Sequence, residues 1–140
     1  MVDEPIHAPG EIVGLDHVQL AMPVGQEDRA RAFYEGVLGL TEEPKPPHLA
    51  VRGGVWFHHG NVRIHLGVDA HFTPATKAHP ALVVRNLDAL VARCAAAGFT
   101  PIDDQPLDGF VRTYVSDPFG NRIELLEPEK GGSGSRSVPE

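Results

Sequence analysis

The chain has 140 residues, 41% of them apolar, which suits one domain with its own core. A formal charge of −7 and a pI near 5.5 argue against nucleic acid as a partner, because phosphate binding needs a basic surface. No apolar run is long enough to cross a membrane, and residues 1–10 are acidic and Pro-rich, unlike a signal peptide. The expected setting is therefore the cytoplasm, with a small molecule as partner. The single cysteine, Cys94, allows no internal disulfide, and its apolar helical surroundings read as a buried small hydrophobe. The unusual count is eight histidines, which directs attention to metal ligation.

In chain order, residues 1–11 form a flexible lead-in. Residues 12–22 read as a strand, with Val18, Leu20 and Met22 on one face and His17, Gln19 and Ala21 on the other. Residues 26–38 read as a helix, since Ala30, Phe33, Tyr34, Val37 and Leu38 recur at helical spacing, and Gly39 ends it. Residues 41–47 suggest a short strand and a loop. Residues 55–58 and 61–68 are strands joined by a tight turn. After a polar connector at 69–77 the pattern restarts, with a strand at 79–84, a helix at 87–97 stopped by Gly98, and a short strand at 100–102. A loop at 103–109 leads to paired strands at 110–116 and 121–127. The Gly/Ser-rich tail, 129–140, is expected to be disordered.

Strand, helix, strand, strand, strand is thus written twice, which predicts an α+β fold of two tandem βαβββ modules, 12–68 and 78–128, within one domain spanning 12–128. The repeat leaves a trace in the residues. Gly60-Asn61-Val62-Arg63-Ile64-His65-Leu66 matches Gly120-Asn121-Arg122-Ile123-Glu124-Leu125 with one residue deleted, and Asp16-His17-Val18 corresponds to Ala78-His79-Pro80. The offsets are 62 residues for the first strands and 59 for the last. If the halves are related by a pseudo-two-fold axis, His17, His65, His79 and Glu124 occupy paired positions on the face opposite the apolar one. Imidazole and carboxylate suit Zn(II), Fe(II), Ni(II), Co(II) or Mn(II). Each histidine alone is more simply a hydrogen-bonded structural residue. The paired spacing is what favours ligation.

The stretches Leu15-Asp16-His17-Val18, Phe33-Tyr34-Glu35-Gly36-Val37-Leu38-Gly39-Leu40, His79-Pro80-Ala81 and Asp117-Pro118-Phe119-Gly120-Asn121-Arg122-Ile123-Glu124-Leu125 resemble the vicinal oxygen chelate superfamily. That superfamily includes glyoxalase I, extradiol dioxygenases, fosfomycin resistance proteins and bleomycin-binding proteins. The resemblance covers roughly residues 12–128. It implies modules whose strands curl into a cup-shaped, half-open mixed sheet around a divalent metal, with ligands at His17, His65, His79 and Glu124. Glyoxalase I carries a glutamate where this chain has His65, and methylmalonyl-CoA epimerase a glutamine.

Three neutral imidazoles and one carboxylate would leave a divalent site with a net positive charge, favouring an anionic oxygen chelate. Four protein ligands close a tetrahedral zinc site, so catalysis needs either an octahedral ion or a displaced His65 acting as general base. In the second case His17, His79 and Glu124 form the two-His-one-carboxylate triad of Fe(II) oxygenases. Glu124 and His65 are accordingly the candidate catalytic residues. Arg63 and Arg122, equivalent in the repeat, are candidates to hold a substrate carboxylate, while Gln19, Trp56, Phe57 and Tyr114 are candidates to line the cup. Three function classes follow: a glyoxalase-like lyase or isomerase, an Fe(II) extradiol-type dioxygenase, or a metal-free drug- or metabolite-binding protein. A homodimer is favoured, in which an exchanged arrangement would take His17 and His65 from one subunit and His79 and Glu124 from the other.

Overall fold

The structure is a computed structural model that describes residues 9–129. Most of the lead-in and of the tail lies outside those residues. The first module comprises β1 (Val18–Met22), α1 (Glu27–Tyr34), β2 (Thr41–Glu43), a short helix α2 (Pro47–Ala50), β3 (Val55–His59) and β4 (Val62–Val68). The second comprises β5 (Ala81–Val83), α3 (Leu87–Ala96), β6 (Phe110–Ser116) and β7 (Arg122–Pro128). Strands β1-β4-β3-β2 form one open sheet and β5-β7-β6 another. In each, the first and last strands of the module run parallel and the hairpins antiparallel. This is the α+β, twice-repeated architecture that the sequence pattern predicts. Among the described residues no helix is long and apolar enough to cross a membrane.

The register makes the repeat concrete. Gln19 lies opposite His65 in the β1–β4 ladder, and Ala81 lies opposite Glu124 in the β5–β7 ladder, which preserves the offsets of 62 and 59. Trp56 faces His65 from β3, and Tyr114 faces Glu124 from β6. Each half therefore carries a ligand-type residue flanked by an aromatic one on the neighbouring strand.

Several boundaries differ from the sequence pattern for identifiable reasons. The first strand begins at Val18, because β1 runs parallel to β4 with Val18 opposite Ile64, and residues 12–15 run past the start of β4. Likewise β5 is confined to Ala81–Val83, so His17 and His79 both lie just ahead of their strands. Helix α1 stops at Tyr34, four residues early. Beyond it the turns widen, with Gly36 N–H donating to the Arg31 carbonyl and Leu38 N–H to that of Phe33. A side chain at Gly36 would meet the Ala32 carbonyl oxygen at 2.4 Å, so only glycine fits this exit. The expected strand at 100–102 is reduced to a bridge between Ile102 and Tyr114. The stretch expected as a loop contains α2, begun by proline at its first position.

The two modules meet across one continuous core. Phe33 and Tyr34 of α1 pack with Phe57 and Ile64 of the first sheet and with Cys94, Val115 and Ile123 of the second module. The Phe33 ring lies edge-on to Phe99 at 4.7 Å, and Tyr34 stacks on Phe57 at 5.4 Å. Phe57 is therefore core and not cup lining, since it is wholly buried against Tyr34. Burial pushes the Cys94 thiol up, which keeps it protonated and inert. Helix α3 starts from Asn86 in a left-handed conformation, and its first amides are capped by Glu127 of β7, which accepts from Asn86 N–H (2.7 Å) and Leu87 N–H (3.1 Å).

The Asp117–Asn121 turn joins the halves. Asp117 accepts hydrogen bonds from the Tyr34 hydroxyl at 2.7 Å, from Phe119 and Asn121 N–H at 2.9 Å, and from the Asn121 amide at 3.0 Å. Asn121 in turn donates to the Ala21 carbonyl of β1 and accepts from Ala75 N–H. The turn residues that precede Glu124 thus bind the second module to α1 and β1 of the first, and the strand that carries Glu124 departs from a fixed point.

Candidate metal centre

On the first sheet, His65 projects from β4 and His17 from the segment leading into β1. Their rings stack with centroids 4.1 Å apart and planes 16° from parallel. Trp56 covers the other face of His65, again at 4.1 Å and within 6° of parallel. His65 is only 6% exposed. Burial, with His17 beside it, lowers its pKa and holds the imidazole neutral. These three rings border a concavity of about 540 Å³ that also takes in Gln19, Lys45 and Arg63. Lys45 reaches the Gly53 carbonyl and lies over the Trp56 ring. Gln19 lies across Gly67, where a β-carbon would meet its amide nitrogen at 2.5 Å.

On the second sheet, His79 Nε2 lies 3.1 Å from Glu124 Oε1. The other oxygen of Glu124 accepts from Arg112 Nη1 at 3.3 Å, and the Tyr114 hydroxyl donates to Oε1 at 3.3 Å. Arg112 also donates to the Tyr114 hydroxyl and, through Nε and Nη2, to the Gln105 carbonyl. The Arg122 guanidinium lies 3.8 Å over the Tyr114 ring and pairs with Asp104. Burial and the neighbouring Glu124 raise the Tyr114 pKa, so its hydroxyl remains a donor. Glu124 is buried and held on three sides by His79, Tyr114 and Arg112.

The acceptors around the two histidines fix their tautomers. His17 Nδ1 is 2.9 Å from Asp16 Oδ2, and His79 Nδ1 is 2.8 Å from the Lys77 carbonyl oxygen. Neither oxygen has a proton to give, so both Nδ1 atoms donate. A neutral His79 then turns its Nε2 lone pair toward a lone pair of Glu124 Oε1. A second ring proton, or a cation between the two atoms, relieves that opposition. The pair has the donor chemistry of a metal half-site.

The four ligand-type residues stand as two pairs. Among the described residues, no three His, Cys, Asp or Glu side chains stand close enough to share an ion. His17 and His65 belong to one sheet and His79 and Glu124 to the other. The stacked rings of His17 and His65 also cannot both aim in-plane lone pairs at one ion about 2 Å from each nitrogen. The donors have the chemistry of a divalent-metal site, divided into two pairs on separate sheets.

Of the expected substrate-binding residues, Gln19, Trp56 and Arg63 border the first concavity, Tyr114 donates to Glu124, and Arg122 lies over the Tyr114 ring. Arg63 pairs with Asp16 at 3.1 Å, and Arg122 is engaged with Asp104 and Tyr114. Sequence reasoning missed Arg112 and Asp16. The signal for Arg112 was its place two residues before Tyr114 in the same strand, hence on the same face. Asp16 was visible as the residue adjoining His17, but a neighbour in sequence is recognised as a partner only once the ring orientation is known.

The family model for the Glyoxalase/Bleomycin resistance protein/Dioxygenase superfamily matches residues 14–125. A crystal structure of a protein assigned to the glyoxalase family from Bacillus anthracis is 48% identical, with a TM-score of 0.83 over 87% of this chain and 100% of that one. The fosfomycin resistance protein FosX from Listeria monocytogenes is 18% identical, with a TM-score of 0.66 over 86% of this chain and 94% of the other. A glyoxalase/dioxygenase from Nostoc punctiforme is 19% identical, with a TM-score of 0.69 over 92% and 100% of the two chains. The last two share the fold alone. No curated protein matches the chain. With the duplicated topology, the matching strand registers and the family model in agreement, the chain belongs to the Glyoxalase/Bleomycin resistance protein/Dioxygenase superfamily.

Proposed function

We propose that this protein is a divalent-metal-dependent enzyme acting on a small anionic substrate that chelates through neighbouring oxygens, in the manner of a glyoxalase-like lyase or isomerase. We further propose that each site is built by two copies of the chain. The observation that carries this reading is the division of four ligand-type side chains, equivalent in the repeat, into two facing pairs on separate sheets. A second copy would set the His17–His65 pair of one chain against the His79–Glu124 pair of the other. Ile12, Val13 and Leu15, 91%, 88% and 79% exposed just ahead of His17, give that interface an apolar border.

His17, His79 and Glu124 would hold the metal, which would supply Lewis-acid polarisation of the substrate's oxygens. The residues around it do the rest. His65, kept neutral and clamped between His17 and Trp56, is positioned to accept and return a proton. Arg112 and Tyr114 hold Glu124 in orientation, while Gln19 and Arg63 offer polar contacts at the substrate's edge.

Purified without chelators, the protein should carry about one metal ion per chain, that is, two sites per two-fold dimer. Metal-free protein with no uptake of Fe, Ni, Co, Mn or Zn would refute the proposal. The stacked geometry that sets His65 back leaves two histidines and one carboxylate, which favours a second reading as an Fe(II) extradiol-type dioxygenase. Oxygen consumption by the iron-loaded protein across a panel of catechols selects that reading, and its absence selects the redox-neutral one.

A further inference from the structure

We infer that Asp16, braced by Arg63, is a positioning residue that fixes the tautomer and ring plane of His17, and that the two halves of the protein orient their equivalent histidines by different means. This inference rests on the assignment of His17 as a ligand. The repeat aligns His17 with His79 and therefore Asp16 with Ala78. The second module has no carboxylate at that place, and there the Nδ1 proton goes to the backbone carbonyl of Lys77 at 2.8 Å. In the first module it goes to Asp16 Oδ2 at 2.9 Å, and the other oxygen, Oδ1, accepts from Arg63 Nη1 at 3.1 Å.

Both arrangements leave Nε2 as the nitrogen with a lone pair, the atom through which the ring can ligate. They differ in robustness. A backbone carbonyl is present whatever the side chain at 77, whereas the His17 orientation depends on one carboxylate and one guanidinium. Arg63 thereby acquires a second task beside its contact at the substrate's edge: it keeps Asp16 turned toward the ring. The Asp16 side chain is 72% exposed, so solvent competes for it, and the expected effect is at the low end for an outer partner of a metal ligand.

The test compares wild type with Asp16→Ala, Asp16→Asn and Arg63→Met. Nitrogen-15 NMR of the imidazole rings in metal-free protein, at alkaline pH where the rings are neutral, should show His17 protonated on Nδ1 in wild type. Asp16→Ala should shift it toward the Nε2–H form that free imidazole side chains prefer, and His79 should stay unchanged as the internal control. Asp16→Asn, which retains an acceptor oxygen, should restore much of the Nδ1–H form. Affinity for Co(II) should fall about tenfold in Asp16→Ala, less in Arg63→Met, with unchanged circular dichroism. A His17 tautomer indifferent to Asp16→Ala overturns the role of Asp16 while leaving the metal assignment intact. Wild-type protein that takes up no metal overturns the ligand role of His17 whatever its tautomer.

Discussion

Replacing Glu124 by alanine is expected to abolish metal uptake. Glu124 is the one anionic side chain among the four ligand-type residues, and its Oε1 faces His79 Nε2 at 3.1 Å. Loss of an outer partner of a metal ligand typically weakens binding about 10–100-fold, so loss of the charged ligand itself should exceed about 100-fold. The substitution also strips Arg112 and Tyr114 of the acceptor they share, which leaves cationic and donor groups where a cation should bind. Glu124→Gln preserves the shape and removes the charge, so it should fail nearly as completely. Titration with Co(II), followed by its visible spectrum, measures both. Stoichiometric uptake by Glu124→Ala would place the metal elsewhere.

The second large effect concerns stability. Asp117 is 4% exposed and accepts four hydrogen bonds, so Asp117→Ala strands the Tyr34 hydroxyl, the Asn121 amide and two backbone N–H groups. Each stranded donor costs about 1–3 kcal/mol when water cannot reach it. Some will find new partners, so the net loss should be about 3–5 kcal/mol, a large share of the roughly 5–15 kcal/mol that holds a domain of this size folded. Thermal unfolding should report it as a midpoint drop of roughly 10–20 °C. Tyr34 adds a pH signature. Burial, reinforced by Asp117, raises its pKa well above the ordinary value near 10. The native state therefore keeps a proton that the unfolded chain releases, and stability should fall as pH rises past about 10. Tyr34→Phe should flatten that decline, and an unchanged alkaline slope would contradict the assignment.

The sequence made the repeat legible because strands of period two and helices of period 3.6 recur in the same order, and the offsets of 62 and 59 survive as ladder registers. Its boundaries were less legible, because they depend on what lies opposite. The apolar alternation of residues 12–22 has strand character throughout, yet only from Val18 is there a ladder partner in β4. Wide turns beyond Tyr34 come from the Gly36 exit, which the apolar spacing of Val37 and Leu38 conceals. Within the candidate site, the four ligand-type residues and their grouping by module could be named from the motif and the repeat, whereas the contact made within each group could not. That His17 stacks on His65, while His79 meets Glu124, follows from which sheet each strand joins. Arg112 was hidden for a related reason, since its claim on Glu124 arises only when β6 pairs with β7.

The division of the ligand-type residues between two sheets makes the proposed two-chain site directly testable by complementation. One variant carries His17→Ala with His65→Ala, and the other carries His79→Ala with Glu124→Ala. Neither should bind metal alone. When the two are unfolded together and refolded at equal concentration, about half of the two-fold dimers should be mixed, each with one fully intact site and one fully stripped site. Metal uptake by the mixture should then recover to about a quarter of the wild-type amount. If each chain instead completed its own site, every site in the mixture would lack two ligands, and uptake would stay at the level of the separate variants.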